Sequence, residues 1–302
     1  MRVVAIVQAR MGSSRLPGKV LLDIGGATML ARVVRRVQRA ALVDLVAVAT
    51  SDAAADDAVE AECARLGVPA FRGNEQDVLD RTYEAARAFQ AEAVVRTTAD
   101  CPLIDPGVID RVVGAFLEAE PDYASNVLER TYPRGLDTEA IAFPALERAW
   151  REAAEPYQRA HVTPYFYQNP DLFRLLSVTY SGVDRVPERS GTEEQGSGGA
   201  ANWSRYRWTV DTAEDLGFVR EVYRRLPALS AQRGRKPSRS SVGTKRRCAP
   251  TDASPRSEAE RAGSPGRNDD AIGWKDVLDL LAREPALAEM NRSVQQKALH
   301  EG

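Results

Sequence analysis

Between Val3 and Ala119 the chain alternates short apolar runs with amphipathic stretches, and this alternation limits the fold more than any other feature. Val3-Val4-Ala5-Ile6-Val7 predicts a fully buried strand, because consecutive positions are apolar rather than every second one. Met29, Leu30, Val33, Val34 and Val37 fall at the spacing of a helix with one buried face, which predicts a helix over 27–41. The order then repeats: strand 45–49, helix 52–65, short strand 68–71, helix 77–89, strand 93–97, and a helix over 106–119 with Pro106 in its first turn. Such alternation predicts an α/β fold, a mainly parallel sheet with helices on both faces. In these sheets ligands bind beyond the carboxyl ends of the strands.

After Pro121 the pattern changes. Strands are expected at 139–143 and 173–178, with helical patterns between them over 144–153 and 157–167. Arg205-Tyr206-Arg207-Trp208-Thr209-Val210 predicts a further strand, and Asp211 to Asp215 opens a helix with Thr212 as N-cap and Asp215 three residues on. Residues 274–299 again show helical spacing, interrupted at Pro285. The organisation expected is a main domain over 1–226 with a flexible insert at 185–201, a disordered insert at 227–270, and C-terminal helices over 271–302 packing on the main domain. The inserts are rich in Ser, Arg, Pro, Gly and Ala and cannot bury enough surface to offset their ordering entropy.

A hydrophobic content of 43% supplies a substantial core, and a formal net charge of -2 argues against general nucleic-acid binding. The basic run RGRKPSRSSVGTKRR reads as solvated insert. Cys63, Cys101 and Cys248 are odd in number and widely spaced, which suggests neither a disulfide framework nor a zinc site. With no apolar run long enough for a signal peptide or a membrane span, a cytoplasmic protein is expected.

The first expected strand leads into Gln8-Ala9-Arg10-Met11-Gly12-Ser13-Ser14-Arg15-Leu16-Pro17-Gly18-Lys19-Val20. This is not a P-loop: five residues separate Gly12 from Gly18, and Val20 stands where a magnesium-binding hydroxyl belongs. Its composition still suits a polyphosphate. The glycines allow close backbone approach, successive amides can form an anion nest, and Arg10, Arg15 and Lys19 supply positive charge. Asp100, in the loop after the fourth strand, and Asp211, after RWTV, are carboxylates at strand ends. Taken singly, Asp211 reads equally as a helix cap and Asp100 as a turn residue. With the cationic loop they form a constellation suited to Mg2+, which takes one or two carboxylates plus phosphate oxygens and water. Of the two histidines, His161 reads as a packed, hydrogen-bonded side chain, and Cys101 as a small buried residue rather than a nucleophile.

QARMGSSRLPGKVL, FRGNEQDVLDR, VVRTTADCPLIDP, YPRGLDTEA, HVTPYFYQNPDLF and RWTVDTAEDL, in this order, resemble the cytidylyltransferases that activate acidic sugars, particularly the spore-coat polysaccharide branch. GWKDVLDLLAREPALAEMN is also similar. The resemblance implies a nucleotide-diphospho-sugar transferase fold (GT-A-like) with a strand and helix excursion for dimerisation. It implies that 1–226 is a nucleotidyltransferase domain. CTP would bind with its triphosphate on Arg10, Arg15, Lys19 and the Gly12-Ser13-Ser14 backbone, and Asp100 and Asp211 would hold Mg2+. A small anionic acceptor, an acidic sugar or a related hydroxyl or phosphonate compound, would attack the α-phosphorus and release pyrophosphate. Arg72, Gly73 and Asp77 would lie near the base or ribose, with helix capping by Asn74 an equal reading. Arg134, Asp137, Glu139, Arg159 and His161 would line the acceptor pocket. The family commonly reads Arg-Glu-His-Val-Thr where this chain has Arg159-Ala160-His161-Val162-Thr163, so acceptor choice differs if that Glu shapes the pocket. The resemblance also implies a homodimer.

Two other function classes compete. A glycosyltransferase of related fold uses a ready-made nucleotide sugar and commonly carries Asp-x-Asp after a strand; Asp100 has no second Asp two residues away. A non-catalytic nucleotide-binding protein would bind without turnover.

Overall fold

The computed structural model describes residues 1–180, 202–233 and 272–296. Among these, β1 (Val3–Gln8), β2 (Leu45–Ser51), β3 (Ala70–Gly73), β4 (Ala93–Thr98), β5 (Tyr123–Ser125), β6 (Glu139–Ala142) and β7 (Leu175–Ser177) form one sheet in the order β3-β2-β1-β4-β6-β5-β7. The β3-β2-β1-β4 half is parallel throughout. β6 runs antiparallel to β4 and to β5, and β7 is parallel to β5. The segment after Pro121 therefore leaves the simple alternation but returns to the same sheet.

Alternating residues of β1 feed opposite faces, as the strand repeat requires. Val3, Ala5 and Val7 pack with α1 (Met29–Val37), α2 (Asp57–Leu66) and α4 (Pro106–Ala119). Val4 and Ile6 pack on the other face with α3 (Val78–Ala88), α5 (Phe143–Glu152), and the α6 (Pro156–His161) and α7 (Pro164–Gln168) region. A third apolar cluster joins Tyr132, Leu136, Trp208 and Val210 to α8 (Ala213–Arg233), α9 (Trp274–Arg283) and α10 (Ala286–Glu289). The last two helices are docked by polar contacts as well: the Trp274 amide donates to Asp105 at 2.8 Å and Arg36 to the Ile272 carbonyl at 2.8 Å.

The expected helix over 157–167 is broken in two. The break lies at the buried Val162, with φ of 70°, and Pro164, which has no amide to continue the helical ladder, opens α7. Residues 205–210 are not a strand: Arg207 makes only an isolated bridge to Arg134. Trp208, Thr209 and Val210 are all buried, and among the described residues no neighbouring strand extends the pairing beyond that bridge. β5, three residues long, carried too little pattern to be foreseen. α8 runs through Arg233, into the first residues of the expected insert at 227–270. The rest of that insert and the one at 185–201 lie outside the described residues.

The 133–136 turn meets the 207–209 segment at van der Waals limit. Gly135 has φ of 107°, and a Cβ there would stand 2.7 Å from the Thr209 nitrogen and 2.7 Å from the Trp208 carbonyl carbon. Gly135→Ala is expected to destabilise the fold by about 2 kcal/mol or more through backbone strain and overpacking, read as a lower midpoint in chemical denaturation. An unchanged midpoint would remove this contact from the account.

Candidate active site

β1 and β4 lie side by side with Gln8 opposite Thr98, so the loops that follow them leave the sheet at one edge. The first loop closes on itself. Gly18, with φ of 69°, sends its amide back to the Met11 carbonyl at 3.0 Å, and a single 3-10 turn over Lys19–Leu21 follows. The buried Asp56 anchors the loop by accepting from the Met11 amide at 2.6 Å and from the Ser51 amide and hydroxyl. The loop thereby turns Lys19 inward, where it is 8% exposed. Its Nζ donates to Asp100 at 2.9 Å, to Asp211 at 2.9 Å and to the Val210 carbonyl at 2.8 Å. The three sequence-distant residues read as a constellation thus converge on one nitrogen.

Burial alone would lower the Lys19 pKa, but the Asp100 and Asp211 carboxylates outweigh it and hold the ammonium above its ordinary value. Burial likewise pushes Asp211 up, and Lys19, Arg15 and Arg207 together bring its carboxyl below the usual range. Arg15 reaches the same carboxylate at 3.0 Å and Arg207 at 2.6 Å. Asp100 has fewer cationic partners: besides Lys19 it accepts from the Thr98 hydroxyl at 2.6 Å and the Cys101 thiol at 3.5 Å. Asp211 does not cap α8. That role falls to Thr212 and Asp215, whose side chains exchange bonds with each other's backbone amides.

Sequence reasoning missed the support behind this centre. Arg207, read as strand packing, is held by the fully buried Asp215 at 3.0 Å, and Asn291 donates to both Asp215 and the Arg207 carbonyl at 2.9 Å. The Arg15 guanidinium also donates to the Gln295 carbonyl at 3.3 Å. Asp215 had a local signal, its position three residues after Thr212, but Asn291 lies 76 positions from Asp215 and carried none. Asp56 read only as a helix residue.

The loop's amides are less available than expected. Those of Ser13, Leu16, Gly18 and Lys19 are spent within the loop, so its capacity for an anion rests mainly on its cations. Arg10 is exposed and has no ion pair among the described residues. Gly12 and Ser14 are exposed, and Ser13 is half-buried with its hydroxyl turned to the Leu16 amide.

The base and acceptor candidates fall into separate groups. Arg72 is held by Asp57 at 2.6 Å and Glu60 at 2.9 Å and by the Ser51 and Ala53 carbonyls, which ties β3 to α2. Asp77 caps α3 through the Asp80 amide, so the capping attributed to Asn74 belongs to it, while Asn74 accepts from the Gln76 and Asp77 amides. Asp77 also pairs with Arg159 at 2.5 Å, joining a base candidate to an acceptor candidate. Asp137 is clamped by both arms of Arg130, at 2.5 and 2.9 Å, and Glu139 pairs with Arg96 and accepts from Tyr123 at 2.5 Å. Arg130 and Arg96 escaped sequence reasoning. His161 stands half-buried at the end of α6. Arg134 lies beside Arg207, its amide bonded to the Tyr206 carbonyl at 3.0 Å. Cys101 is buried, and burial pushes its thiol well up, which disfavours the thiolate.

The donor chemistry at Asp100 and Asp211 fits a hard divalent cation, since two carboxylates already share one cationic atom. No group of three or more His, Cys, Asp or Glu among the described residues could hold a metal. A cation on this pair therefore needs phosphate oxygens and water to complete its shell. No helix among the described residues is long and apolar enough to cross a membrane.

A family model described as cytidylyltransferase matches residues 4–195. The spore coat polysaccharide biosynthesis protein SpsF of Bacillus subtilis is 33% identical over 237 residues, 76% of this chain and 90% of that protein. A 3-deoxy-manno-octulosonate cytidylyltransferase of Anaeromyxobacter dehalogenans is 39% identical over 238 residues, 73% of this chain and 97% of that protein. The solved structure of a cytidylyltransferase from Leptospira borgpetersenii is similar with a TM-score of 0.72 at 25% identity, covering 99% of this chain and 100% of that one. The chain belongs to the cytidylyltransferase family, a family of nucleotidyltransferases.

Proposed function

We propose that the chain transfers CMP from CTP to an acidic sugar or a related small anionic hydroxyl compound and releases pyrophosphate. The observation that carries this reading is the convergence of Lys19, Asp100 and Asp211 at the sheet edge, with Arg10 and Arg15 on the same loop. Attack on phosphorus requires in-line placement and charge neutralisation more than covalent help. Arg10, Arg15 and Lys19 receive the triphosphate oxygens and stabilise the charge that grows on the leaving pyrophosphate. Lys19 then exchanges carboxylate partners for phosphate oxygens. Asp100 and Asp211 would hold Mg2+, which when bound supplies further charge neutralisation at the phosphates. Arg207 and Asp215 keep the Asp211 carboxylate fixed. The free thiols of Cys63 and Cys101, both buried, suit a reducing cytoplasm, and a homodimer belongs to the same reading.

Lys19→Ala is expected to lower kcat/KM for CTP-dependent pyrophosphate release by about a hundredfold or more, measured with Mg2+ and an accepted anionic sugar. Calorimetry with a non-hydrolysable CTP analogue should show Mg2+-dependent binding that UTP, ATP and GTP analogues do not match. Preference for a nucleotide sugar over CTP would sink the reading.

The role of Asp211 requires its ionised form, and its carboxyl lies below the usual range in the folded protein. A carboxyl depressed in this way adds stability above the unfolded value, about 3.9, that is lost as pH falls through the lower folded value. The thermal midpoint should drop as pH goes from about 5 towards about 3, and Asp211→Asn should drop less over that window. Parallel curves for the two proteins would contradict the assigned ionisation.

A further inference from the structure

The last described residues, Asn291 to Gln296, reach both guanidinium groups that grip Asp211. The Gln295 carbonyl accepts from Arg15 at 3.3 Å, and the Gln296 side-chain oxygen accepts from Arg207 at 2.7 Å. The Asn291 side chain donates to the Arg207 carbonyl and to Asp215, each at 2.9 Å. All of these residues but Arg15 lie beyond those matched by the family model.

Burial does not account for the path of this segment. Asn291 is buried and Val294 half-buried, but Arg292, Ser293, Gln295 and Gln296 are exposed. A segment with so little apolar surface to bury opens readily unless polar groups tie it down. Here the ties go to charged side chains of the reaction centre.

The division of contacts at Arg207 shows what the ties achieve. Its Nε donates to Asp215 at 3.0 Å, Nη1 to Gln296 at 2.7 Å and Nη2 to Asp211 at 2.6 Å. A guanidinium is a planar, rigid fork, so fixing two of its nitrogens sets the direction of the third. Asp215 is itself fixed by Asn291 and by the Asp211 and Thr212 amides. Nη2 and Arg15 both take Oδ2 of Asp211, which leaves Oδ1 for Lys19. Rotation of that carboxylate would carry Oδ1 away from the centre.

We propose that Asn291 and Gln296 are positioning residues of the reaction centre: through Arg207 they set the orientation of the Asp211 carboxylate. What the oriented carboxylate does rests on the transfer reading above; the positioning itself does not.

Two measurements on the full chain test this. The first is the rate of pyrophosphate release from CTP with Mg2+ and an accepted anionic sugar. Asn291→Ala is expected to lower kcat at least about tenfold and Gln296→Leu about threefold. Gln296→Glu, which keeps an acceptor for Arg207, should recover most of the rate. In an Asp211→Asn background Asn291→Ala should cost less than about twofold, because the group that it orients has been changed. Equal losses in the two backgrounds, as a general weakening of the fold would give, overturn the proposal. So do wild-type rates in both single variants, or a Gln296→Glu rate as low as that of Gln296→Leu.

The second measurement needs no turnover. In the nitrogen-15 spectrum of arginine-labelled protein, the Arg207 Nε–H, assigned with Arg207→Lys, should exchange slowly with water. Asn291→Ala and Gln296→Leu should each speed that exchange at least about tenfold. An unprotected signal, or one that neither variant changes, overturns the positioning. A protected signal lost in both variants, in a chain that releases no pyrophosphate from CTP, upholds the positioning and overturns the transfer reading instead.

Discussion

A single buried ammonium group organises the carboxyl end of the sheet. Lys19 Nζ draws together the loop after β1, the loop after β4 and the segment before α8, and the Val210 amide, donating to the Asp100 carbonyl at 2.8 Å, joins the last two directly. Its burial is tolerable only because two carboxylates and a carbonyl surround it, and the carboxylates are tolerable only because Lys19, Arg15 and Arg207 face them. Removing one charge would leave the others unbalanced.

Rigidity behind the site comes from neutral and charged contacts that do not touch the reacting atoms. Asp56 ties the loop after β1 to the end of β2, and Asp215 ties Arg207 to the start of α8. Both are acidic residues near the first turn of a helix, where the macrodipole favours a carboxylate, and Asp215 also caps α8. In the folded protein they serve a second purpose at longer range, fixing a loop and a guanidinium. A site built on such anchors holds its side chains in place before any ligand arrives.

The first half of the molecule was legible because its strands and helices are long enough to show their period. β1, β2, β4 and α4 carry at least six residues each, and their boundaries fall within two or three positions of those read from the chain. The loop and the two aspartates were legible through residue type at strand ends. What failed was whatever depended on a distant partner. Arg205–Val210 has the alternation of a strand, yet pairing is decided by what lies alongside, and only Arg134 does. Arg130 and Arg96 carried no signal in the sequence, and only the fold places Asp137 and Glu139 against them. Helix 157–167 failed for a local reason, Pro164, that was visible but given too little weight.

The clasp of Asn291 on Asp215 gives the order of synthesis a structural meaning. When residues 1–226 have left the ribosome, the sheet, the loop and both aspartates are all present, and the interior acid behind Arg207 still lacks its last hydrogen-bond donor. That donor arrives only after the long Ser- and Arg-rich stretch has been translated and α9 and α10 have docked. The brace is thus the last part of the site to be supplied, and a chain cut short within that stretch keeps its nucleus of charges without the donor that holds Asp215.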